Sequence, residues 1–136
     1  MTNSNLNIDG KMIDLILNDK IDKKLFLEIL NSKNINSLKD IHEYLLDILL
    51  NYVENIVDDH FISQDEIMKA TKLKLFFEIK EGDFYEKRHL QIKHIIQKQY
   101  SYFLVDGHIS HSEELQEVSL QDLFDLGFDQ YLELKK

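Results

Sequence analysis

Cysteine is absent from this 136-residue chain, which excludes disulfides, thiolate zinc sites and cysteine nucleophiles together. Proline is absent too, and glycine occurs only four times, so little in the backbone chemistry stops a helix. No long uncharged apolar run is present. The most apolar region, Tyr44 to Val57, is interrupted by Asp47, Asn51, Glu54 and Asn55, which argues against a membrane span. The opening residues, MTNSNLNIDG, lack the basic start and apolar stretch of a signal peptide. The cytoplasm is therefore the expected location, and residues 1–10 are expected to be flexible. No nucleophile elbow, P-loop, zincin helix or glycine-rich dinucleotide turn occurs, so no enzyme is expected.

The chain does have ample material for a core. Hydrophobic residues make up 43% of it, including eight Phe and six Tyr. That predicts one domain over residues 1–136 rather than disorder, despite 30% charged residues. Phe76, Phe77, Tyr100, Tyr102 and Phe103 fall in helical stretches and read as core, not as base-stacking platforms.

The formal net charge of −9 repels polyphosphate, so direct nucleic-acid binding is not expected unless a local basic patch supplies it. The charge is unevenly spread. Between Lys69 and Lys98, bases outnumber acids. After Lys98 no Lys or Arg appears until Lys135, while Asp106, Glu113, Glu114, Glu117, Asp122, Asp125, Asp129 and Glu133 accumulate. The C-terminal third reads as an acidic surface, with Glu117, Asp122, Asp125 and Asp129 as the candidate protein-binding face.

Apolar spacing near 3.6 residues predicts an all-α bundle of about six helices. Two short helices run over Lys11 to Asn18 and Lys23 to Asn31. A third starts at Ser37, whose hydroxyl suits an N-cap with Asp40 three residues on, and it is apolar enough to be central. Ser63 and Glu66 form a candidate capping box for the next. Asp83 and Glu86 open a long helix ending at Asp106-Gly107. The last region restarts at Ser110, where Ser119 with Asp122 could cap a second short helix and Gly127 could set off a terminal turn.

The most informative pattern is a repeat. Asp59-His-Phe-Ile62-Ser63-Gln-Asp-Glu66 and Asp106-Gly-His-Ile109-Ser110-His-Ser-Glu113 both read Asp-x-x-Ile-Ser-x-x-Glu, each after an apolar helix. A fainter echo, Asp19-Lys-Ile21-Asp22, precedes the second helix. Together they suggest helix pairs built around similar turns. From Val57 to Leu132 this arrangement resembles the TerB-like (tellurite resistance protein B) helical family, whose helices are joined by an Asp-Gly-x-Ile/Val-Ser/Thr-x-x-Glu turn. The first copy departs from that pattern, carrying His60 where the family has Gly. The resemblance implies an all-α fold, a stress or defence setting and metal association through acidic residues. It does not imply an enzyme.

Each repeated turn has two readings. In the first, Ser and Glu satisfy helix N-terminal amides, Ile anchors the turn and Asp closes it. In the second, Asp59 with Glu66 (or Asp65) and Asp106 with Glu113 (or Glu114) offer oxygen ligands to a divalent cation. Neither turn has the ligand ladder of an EF-hand, so capping is the preferred reading. His108 and His111 beside Asp106 are alternative nitrogen ligands for zinc or nickel. His89 and His94 do not share a helix face, and His42 and His60 stand alone. Two functions follow as expectations. One is a TerB-like interaction module, with a divalent ion as the only candidate cofactor. The other is a small acidic inhibitor or immunity protein that covers a basic active site or nucleic-acid groove.

Overall fold

The computed structural model describes residues 7–136, and among these it contains eight α-helices, one 3-10 helix and no strand. The helices are α1 (Gly10–Leu17), α2 (Lys23–Ser32), the 3-10 helix (Leu38–Ile41), α3 (His42–Asp58), α4 (Gln64–Phe77), α5 (Asp83–Lys87), α6 (His89–Phe103), α7 (His111–Phe124) and α8 (Phe128–Lys135). The all-α expectation holds, while the count exceeds the six expected. None of these helices is long and apolar enough to cross a membrane. Of the stretch expected to be flexible, residues 1–6 lie outside the described residues. Ile8 is buried, its amide donates to the Tyr44 hydroxyl at 3.1 Å, and Asp9 caps α1 through the Met12 amide.

Three departures from the sequence reading have local causes. Ser37 makes no side-chain cap bond, because the chain enters α3 through a 3-10 turn whose Leu38 and Ile41, both buried, fall on one side at a three-residue period. The long helix expected from Asp83 is broken at Arg88, which has φ −132° and ψ 34°. The Arg88 guanidinium is held by α3: Nε donates to Asp47 at 2.7 Å and Nη1 to Glu43 at 3.0 Å. Hydrogen bonding to Asp47 pushes its pKa further up. Finally, Ser119 is buried in mid-helix and caps nothing; α7 continues through it to keep Leu120, Leu123 and Phe124 in the core. Gly127 does set off a separate element, but a helix, α8, where a turn was expected.

One hydrophobic core draws on every helix. Helix α3 supplies seven buried apolar residues, from Leu45 to Val57, as its broad stripe predicts. It packs on α4 and α6, α6 packs on α8, and α4 also meets α1 and α7. Phe26, Phe76 and Phe77 form an edge-on aromatic cluster, and Phe84 meets Phe124 edge-to-face at 5.7 Å. Phe77 and Phe103 are buried as expected. Tyr102 is not core: it is half-exposed.

With so few glycines, acidic and amide side chains occupy the left-handed backbone positions that end helices. Asp19, Asn34, Glu78 and Asp125 have φ between 56° and 65°, and each is followed by a residue whose amide reaches back five residues, as in Ile35 to Leu30 and Leu126 to Gln121. These are Schellman closures. Ile35, Ile79 and Leu126 then insert into the core.

Candidate functional site

The two repeated turns are built alike. In the first, the Ser63 hydroxyl accepts from the Glu66 amide at 3.1 Å while the Glu66 carboxylate accepts from the Ser63 amide at 3.0 Å. In the second, Ser110 accepts from the Glu113 amide at 3.1 Å and Glu113 from the Ser110 amide at 2.9 Å. Both are reciprocal capping boxes that satisfy otherwise unpaired first-turn amides. His60 stands at φ 62° and Gly107 at φ 89°, so the two turns share the left-handed backbone at this position although only one of them has glycine there. Asp19, also left-handed, precedes Ile21 and the α2 N-cap Asp22 by the same spacing. The echo is thus a third turn of this type, with Asp19 in register with His60 and Gly107 rather than with Asp59 and Asp106.

The candidate metal ligands are not brought together. Glu66 and Glu113 are occupied by their capping boxes, and Asp59 and Asp106 are exposed. Among the described residues no three His, Asp or Glu side chains converge as an ion would require. His108 and His111 are both exposed.

His60 does not stand alone. Its Nδ1 lies 2.8 Å from Gln99 Oε1, and its ring stacks on Tyr102 with centroids 3.7 Å apart and planes 7° from parallel. The His60 side chain therefore ties the first turn to the end of α6. A second tie comes from α7: Gln116 Oε1 accepts from the Ile62 amide at 2.6 Å, and Gln116 Nε2 donates to the Ile62 carbonyl at 3.1 Å.

The acidic face is smaller than its sequence suggests. Glu117 is mostly buried and accepts from the Tyr131 hydroxyl at 2.8 Å and from Lys135 Nζ at 3.0 Å. Lys135 also lies over the Tyr100 ring at 4.5 Å. Burial, then the Glu117 hydrogen bond, pushes the Tyr131 phenol far up. Asp125 pairs with the buried Lys74 at 3.0 Å, and Lys74 also donates to the Asp122 carbonyl at 3.2 Å. Burial pushes the Asp125 carboxyl up, with Lys74 opposing. Only Asp122 and Asp129 of the four candidates are exposed.

Beside Asp122 on α7 lies an exposed apolar feature. Leu115 and Val118, one helical turn apart on α7, are 56% and 52% exposed. They form a ridge between two open grooves. One groove, of about 440 Å³, is lined by Phe61, Gln64, Ser112 and Asp122. The other, of about 430 Å³, is lined by His111, Glu114, Gln121 and Phe128. Phe61 and Phe128, 61% and 64% exposed, flank the ridge. The exposed charges lining these grooves are Glu114 and Asp122, and the single cation, Lys135, is neutralised by Glu117. The local signal was an apolar pair at three-residue spacing within an otherwise polar helical face. No family model, curated protein or solved structure matches the chain.

Proposed function

We propose that this chain is a non-enzymatic helical interaction module of the TerB-like type, acting in a stress or defence setting, and that the outer face of α7 receives a basic protein partner. The observation that carries the reading is the exposed Leu115–Val118 ridge with acidic groups at its margins. An apolar centre with a charged rim is the usual anatomy of a recognition surface. The two side grooves suit an amphipathic helix laid across the ridge, its apolar side chains in the grooves and its Lys or Arg near Glu114 and Asp122. Two capping boxes and the Gln116 clamp hold α4, α7 and the Phe61 turn in fixed relation, so the face is organised before a partner arrives.

The test is a photo-crosslinking amino acid placed at Val118 in the native host, with the exposed Leu90 of α6 as the control position. A discrete adduct from Val118 alone, mapping to a basic helical segment, supports the module. Identical adducts from both positions, or none from Val118, overturn it. An adduct with the active site of a nuclease or other basic enzyme transfers the face to the inhibitor class.

A further inference from the structure

We propose that a cleft on the opposite chemical principle, basic within an acidic protein, binds a small phosphate-bearing ligand. The cleft encloses about 240 Å³ where the 3-10 helix, α3 and the α4–α5 turn meet, and Lys39, His42, Lys80 and Lys87 line it over an apolar floor of Leu38 and Phe77. Its two acids are both engaged. Glu78 is paired with Lys23 at 2.9 Å, and Asp83 accepts from the Lys80 amide at 2.7 Å and lies 3.5 Å from His42 Nε2. The three lysine amines, by contrast, are in no ion pair among the described residues. His42 Nε2 is buried beside Asp83 at 3.5 Å but makes no well-formed hydrogen bond, so its bonding capacity is not filled within the cleft.

Three uncommitted ammonium groups drawn from three chain segments oppose the protein's overall charge of −9. With only Asp83 and the Lys23-paired Glu78 as acids in its lining, the recess has a surplus of positive charge that an anion would offset. The charge count matches a dianion better than a single carboxylate, and Lys serves phosphate well as a point charge. The volume admits a phosphate with a small remainder against Leu38 and Phe77, and is too small for nucleic acid or an extended peptide. This inference does not rest on the α7 reading, and it uses the basic stretch of the sequence that the reading leaves idle.

The test is a titration of the full chain, followed by amide NMR at constant ionic strength, with inorganic phosphate, glycerol phosphate, acetate and chloride as separate arms. Saturable shifts at Lys39, His42, Lys80 and Lys87 with the phosphates, absent with acetate and chloride, are expected. Tighter binding of glycerol phosphate than of inorganic phosphate assigns the site to a monoester; the reverse order assigns it to the free ion. Lys80→Gln and Lys87→Gln should each weaken binding about fivefold. Because both side chains are exposed, the folded spectrum of each variant serves as its own control. Linear shifts, equal shifts in all arms, or unchanged affinity in both variants would overturn the proposal.

Discussion

Gln116 holds Ile62 by both of its main-chain polar groups, accepting from its amide and donating to its carbonyl across 54 residues of sequence. A side-chain amide here does what a neighbouring strand does in a sheet, and Ile62 can stay buried in a turn that has no ladder of its own. Replacing Gln116 by Leu keeps the volume and orphans two buried backbone groups. The expected cost is about 3 kcal/mol in denaturant unfolding, at 1 to 3 kcal/mol for each unsatisfied group. A variant as stable as the parent would mean that the Ile62 groups find water instead.

The capping boxes predict a milder effect. Ser63→Ala and Ser110→Ala should each destabilise by about 1 kcal/mol, since one first-turn amide loses its acceptor. With Glu66 and Glu113 occupied as caps, added calcium should leave the melting temperature of chelated protein unchanged. A rise that Asp59→Asn with Asp106→Asn abolishes would restore the cation reading.

Tyr131 sets an alkaline limit. Its phenol is held above the ordinary value of 10.0 in the folded chain by burial and by Glu117. The folded state therefore disfavours tyrosinate, and the stability linked to this group is intact below pH 10 and declines as pH rises beyond it. Unfolding measured between about pH 9 and 11 should show this decline, and Tyr131→Phe should flatten it. An equally steep decline in the variant would assign the effect to other groups.

The α7 face predicts a separation of binding from folding. Leu115→Glu and Val118→Glu remove exposed apolar surface, so stability should change by less than about 0.5 kcal/mol while partner capture is lost. Reversing Asp122 and Asp129 to Lys should slow association and weaken its salt dependence. Reversing Glu117 or Asp125 should instead destabilise the fold, because each answers a lysine inside the protein. Loss of stability in the Leu115 and Val118 variants would show that the ridge is structural.

What could be read from the sequence was what is local. Ser63 with Glu66 and Ser110 with Glu113 interact over three residues, so their type and spacing disclose the caps directly. The all-α class is equally visible in the periodic apolar residues of α3. The break at Arg88 was hidden because its partners, Glu43 and Asp47, lie more than forty residues earlier. The acidic face looks larger in the sequence than in the fold for the same reason: whether Glu117 meets solvent depends on where Tyr131 and Lys135 fall. Leu115 and Val118 carry little signal in the sequence, because an isolated apolar pair means little until the fold leaves it outside.

The stack of His60 on Tyr102 gives the first turn a reporter of its own. Two rings lying face to face shield each other's protons, so the His60 resonances should move upfield only while the turn is seated against α6. A one-dimensional proton spectrum can then follow the opening of this turn separately from global unfolding. Comparing its midpoint in the parent with that in Gln116→Leu would reveal whether the side-chain ties from α6 and α7 let go together or in sequence.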